Sequence, residues 1–136
     1  MPNLEGTKQM VSAPGIDDIT RDRIRNSVVR VIEVLDEESN ALRTGGAIDI
    51  DDFSRRKGER LIELNRLFTS SQLTGADLNT LRKPLEELKR KTAENSSLLR
   101  AHIYAVEEVA QIIQNAVEKE RSDGTYSRAV SQSRLQ

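Results

Sequence analysis

Hydrophobic positions recur alternately three and four apart along the second half of this chain. The stripe runs Leu78, Leu81, Leu85, Leu88, passes through Thr92, Asn95, Leu99 and His102, and continues as Val106, Val109, Ile113 and Ala116. A heptad pattern sustained over that distance predicts one long helix. At 1.5 Å per residue a helix from Leu78 to Glu120 would be roughly 65 Å long, about twice the diameter of a small domain.

Two further helices precede it. Asp17 or Asp18 caps the first, because a short carboxylate accepts from free backbone N–H groups and suits the positive end of the helix dipole. Its inward face is Ile24, Val28, Val31, Leu35 and Leu42, widened by Ile32 and Val34 as for a helix that meets two neighbours. Gly45 and Gly46 supply a left-handed stop. Asp49, Asp51 and Asp52 open the second helix, whose face is Phe53, Lys57, Leu61, Leu64 and Phe68, with Ile50 leading in. Gly58 inside it points to a close helix contact. Thr74 with Asp77 forms a capping box for the third helix. Pro84 removes a hydrogen bond and crowds the preceding turn, so residues 75–83 form either a short separate turn or a kinked start.

Residues 1–15 carry Pro2, Gly6, Pro14 and Gly15 without period and are expected to be a flexible arm, with the helical bundle at 16–121. Past Asp123 and Gly124 the period is lost, so 122–136 is expected to be a flexible tail. No strand pattern and no repeat other than the heptad occurs. The expected fold is all-α: an elongated three-helix antiparallel bundle with a long, coiled-coil-like C-terminal helix.

Helix lengths then limit how much of the stripe the chain can cover. A second helix of about 35 Å, joined to the third by a short loop, lies antiparallel to it and reaches only about Leu99. Leu99, His102, Val106, Val109, Ile113, Ala116 and Val117 are therefore the candidate binding surface. Exposed contiguous apolar surface marks an interaction site, either for a helix of another protein or for a second copy in a homodimer. Thr92, Asn95 and His102 interrupt the stripe, either as polar seam positions that fix register or as a hinge between its covered and uncovered halves. His102 is the lone histidine, and without Cys or a second His it makes a poor metal ligand.

Composition narrows the function further. Of 136 residues, 36% are apolar, 3% aromatic and 32% charged, the balance of amphipathic helices rather than of a compact enzyme. The 21 Lys and Arg nearly cancel 22 Asp and Glu, leaving no net field to draw nucleic acid or anionic lipid. The chain has no Cys, which excludes disulfides and thiolate chemistry and fits a reducing compartment. No apolar run is long enough for a signal peptide or a membrane span, so a soluble cytoplasmic protein is expected. The acids come as Glu37–Glu38, Glu86–Glu87 and Glu107–Glu108 on what read as solvated faces, and Arg55 to Lys57 is balanced by neighbouring acids. Phosphate loops, nucleophile elbows and HExxH are absent. No catalytic residue, cofactor or metal is expected, and the chain reads as a non-enzyme.

Several of these residues carry a resemblance. Glu38, Leu42, Gly45, Gly46, Asp49, Phe53, Lys57 and Leu61 resemble the first hairpin of FlgN-type flagellar export chaperones. Asn95 with Leu98 and Leu99 is similar to that family's N-x-x-LL segment, and Asp123, Gly124 and Tyr126 are similar to its tail. The family tail usually has Tyr closely followed by Gly, whereas here Gly124 precedes Tyr126 and Ser127 follows. The resemblance, over about residues 17–128, implies a cytoplasmic chaperone that binds helical ends of late export substrates, the hook–filament junction proteins. It would prevent their premature assembly and deliver them to the export gate, with Tyr126 as the candidate gate-docking residue. The alternative is a self-associating structural or adaptor subunit without a secreted client.

Overall fold

A computed structural model describes the backbone of residues 15–135 and the side chains of residues 15–124. The fold is all-α. Among the described residues four helices follow one another: α1 (Asp18–Thr44), α2 (Ile50–Ser70), α3 (Gly75–Thr80) and α4 (Arg82–Leu135).

Local chemistry explains their ends. Asp17 caps α1, its carboxylate accepting from the Thr20 N–H at 2.7 Å, and Asp49 does the same for α2 from the Asp52 N–H at 3.0 Å. Gly45 ends α1 at φ 68° and donates to the Ala41 carbonyl, a conformation that a Cβ would strain. Thr74 and Asp77 form a reciprocal capping box on α3. Between α3 and α4 the backbone departs from helix at Leu81, with φ −94° and ψ 2°. Pro84 lies in the first turn of α4, where helix N–H groups have no intrahelical acceptor, so its missing donor costs nothing there.

The core joins three elements and the Leu81 junction. Ile24, Val28, Val31 and Leu35 of α1 meet Leu64 of α2 and Leu81, with Leu67, Phe68, Leu85 and Leu88 packed around them. Each such buried aliphatic side chain contributes roughly 1.5–3 kcal/mol relative to exposure. Ion pairs from Arg30 to Glu63, Glu37 to Arg56 and Glu38 to Lys57 run in opposite sequence directions, so α1 and α2 are antiparallel. At one end of α1, Asp77 accepts from the Ile16 N–H; further along, Asp36 meets Lys91 and Arg43 meets Glu94. The first third of α4 therefore lies parallel to α1.

Several expectations need correction. Leu61 is half exposed, and Leu67 beside Phe68 takes its place against the core. Leu78 is likewise half exposed, on the short α3 that precedes the break at Leu81. Nothing lies within 4 Å of a Cβ built on Gly58, so no close helix contact explains that glycine. Glu38 is fully buried rather than solvated, and Lys57 is drawn in with it. Asp123 and Gly124 do not end the last helix. Its backbone continues to Leu135, since one glycine in a helix costs only about 1 kcal/mol relative to Ala. Residues 1–14 of the expected arm lie outside the described residues.

Candidate functional site

Two features of α4 bear on function: a buried polar node in its first third and an open apolar face beyond it. The chain divides into two compact units between Leu98 and Leu99, which separates the two features.

In the first unit, Asn95 is 3% exposed and reaches two other helices. Its amide donates to the Glu38 carboxylate at 2.9 Å, to Ser39 Oγ at 3.2 Å and to the Leu35 carbonyl at 3.4 Å. Lys57 of α2 completes the node, its ammonium 2.6 Å from Glu38 Oε1 and 3.5 Å from Asn95 Oδ1. A buried carboxylate is tolerated only with such compensation, so α1, α2 and α4 are tied at one height. Glu38 Oε2 has no hydrogen-bond partner among the described residues. Of the polar interruptions expected in the seam, only Asn95 holds this position. Thr92 is exposed and its hydroxyl donates to the Leu88 carbonyl, while His102 is half-buried.

A second polar anchor closes the other end of the unit. The carboxylate of Asp77 accepts from the backbone N–H groups of Thr74 at 2.9 Å and Ile16 at 3.2 Å. These bonds, the Thr74 one foremost, together with the charge of Arg21, hold its carboxyl below the ordinary value despite burial. A shallow groove of 420 Å³ lies nearby on α3 and α4, with Leu78 and Leu85 between Arg82, Glu86 and Lys89.

In the second unit, the candidate surface is open. Val106, Val109, Ile113 and Val117 are all about half exposed, Ala116 is exposed, and Leu99 with His102 is half-buried. Strict three-four spacing missed part of it: Ile103 is 52% exposed and Ile112 is 66% exposed. Both flank the heptad seam instead of lying in it, and their chemical type was the signal available. At roughly 100° per residue the apolar side chains from Ile112 round to Ile103 span an arc of about 180°. Between Arg100 and Lys119 the charged residues are Glu107, Glu108 and Glu118, with no base among them. The side chain of Tyr126 lies outside the described residues.

Among the described residues no group of three His, Asp or Glu side chains is placed to hold a metal ion, and no helix is long and apolar enough to cross a membrane. Compared with known proteins, the chain matches no family model, no curated protein and no solved structure.

Proposed function

We propose that this protein is a cytoplasmic flagellar export chaperone of the FlgN type, which holds helical ends of hook–filament junction proteins and delivers them to the export gate. The observation that carries the reading is the apolar face between Ile103 and Val117, left open by a chain whose other helices are packed on one another. A chaperone of this kind needs no reacting groups; it needs an amphipathic helix that accepts the apolar face of a client helix. Burying about 400 Å² of apolar surface at roughly 25 cal/mol per Å² offers on the order of 10 kcal/mol before association costs, enough to leave a useful affinity. Three residues that carry the family resemblance, Glu38, Lys57 and Asn95, also meet in one hydrogen-bonded node. That shared node supports the reading from the side of the fold. Tyr126 is the gate-docking residue in this proposal.

The test is calorimetric titration of hook–filament junction proteins into the full chain and into a variant carrying Val106→Gln, Val109→Gln and Ile113→Gln. The parent binds, the variant does not, and its far-ultraviolet helicity stays within a few per cent of the parent's. A tight dimer that Ile113→Asp dissociates into folded monomers, together with no binding of any junction protein, would replace this reading with the self-associating subunit.

A further inference from the structure

We infer that the open face of α4 receives two helices at once, so that its partner is a single molecule presenting a helical hairpin with basic flanks. The inference rests on the chaperone reading for the role of the face, and on the face itself for the form of the partner. A helix that pairs with one other helix needs only the two seam positions of each heptad, and its flanking positions carry charges that fix the pairing. Here those flanking positions are Ile103, Ala110, Ile112 and Val117, all apolar and exposed. Ile103 and Ile112 lie nine residues apart, which places them on opposite flanks, roughly 180° from one another around the helix. One partner helix laid on the seam covers one flank and leaves the other in water. Two neighbouring helices cover both, as in the core of a bundle.

The size of the face agrees. Ile103, Val106, Val109, Ile112, Ile113 and Val117 are each between 44% and 66% exposed, more apolar surface than one helix laid on the seam covers.

A second copy of this chain is a poor occupant on two grounds. Its α1 and α2 are engaged in its own core, so it has one open helix to offer, not two. It would also bring a second set of Glu107, Glu108 and Glu118 to a window that holds no Lys or Arg. Lys or Arg along the rims of a foreign hairpin instead complements those three acids and raises the association rate.

The experiment uses the full chain and a designed antiparallel helical hairpin with an apolar inner face and Lys on both rims, together with its two halves as separate peptides. Calorimetry is expected to give one hairpin per chain, with each half at least tenfold weaker. Ile103→Gln and Ile112→Gln, on opposite flanks, should each weaken hairpin binding about tenfold. A half that binds as tightly as the hairpin, a flank variant without effect, no hairpin binding, or a tetramer of the free chain that Ile112→Gln dissociates would each overturn the inference. If junction proteins bind the parent but are indifferent to one flank, the hairpin form falls and the chaperone reading stands. If the hairpin binds and no junction protein does, the chaperone reading falls alone.

Discussion

Replacing Lys57 by Met isolates the energetic role of the polar node. The substitution keeps the length of the side chain and removes the ammonium 2.6 Å from Glu38 Oε1. Glu38 is then left with a carboxylate that is 0% exposed and holds only the Asn95 amide. Removing one partner of a buried ion pair costs about 3–5 kcal/mol, and because the Lys57 side chain is 18% exposed the lower end, about 3 kcal/mol, is expected. The reverse change, Glu38→Leu, should cost only about 1–2 kcal/mol, since the freed ammonium can turn toward water. The double variant loses one hydrogen bond from Asn95, which still reaches Ser39 and the Leu35 carbonyl, and should cost about 1 kcal/mol. Urea unfolding followed by far-ultraviolet circular dichroism at pH 7, with unchanged m-values, measures all three. Equal costs for the two single variants, or a double variant as costly as their sum, would refute the assignment of Glu38 as the buried member that depends on Lys57.

Two further outcomes follow from the anchors at the helix ends. The Asp77 carboxyl is held below its ordinary value in the folded protein, so its contribution is fully present above the unfolded value near 4 and is lost as pH falls through the lower folded value. Asp77→Asn should be less stable than the parent at pH 7 and should show a shallower loss of stability below about pH 4 in acid titrations followed by circular dichroism. Gly45→Ala meets no atom within 4 Å, so its cost is that of a left-handed backbone alone, about 1 kcal/mol in urea unfolding; a neutral result would contradict the observed φ of 68°.

Much of the scaffold was legible because its signals are local. Caps at Asp17, Asp49 and Thr74, the stop at Gly45 and the inward face of α1 follow from positions a few residues apart. The long heptad identified α4, while Pro84 left open a separate turn or a kinked start, of which the structure has the separate one. What stayed hidden depends on neighbours distant in sequence. Glu38 reads as one more helix-surface acid until Lys57 and Asn95 meet it, 19 and 57 residues away. Leu61 fits the α2 stripe as well as Leu67 does, and only the crossing of α2 over α1 chooses between them. The candidate surface was legible along the seam at Val106, Val109 and Ile113 but not across its width. A three-four count selects one line on a helix, and Ile103 and Ile112 lie to either side of that line.

The node has a consequence for the open face that its own stability does not reveal. An apolar heptad repeats every seven residues, so α1 and α2 could in principle cover α4 in any of several registers, each displaced by about 10 Å along the helix axis. Aliphatic contacts discriminate weakly among them, because Leu, Val and Ile present similar surfaces. Asn95 discriminates among them: a slip of one heptad sets Leu88 or His102 at the height of Glu38 and Lys57 and takes the Asn95 amide away from the buried carboxylate. The polar residue thus fixes the register in which α1 and α2 lie on Leu81 to Leu88. Asn95→Leu tests this. Native stability should change by no more than about 1 kcal/mol, as the added apolar contact offsets the lost bonds. Hydrogen exchange should nevertheless report protection spreading into residues 103–117, and affinity for a helical client should fall. If Asn95→Leu left both exchange in that segment and client affinity as in the parent, the register would be fixed by the aliphatic core alone and the node would have no part in keeping the face open.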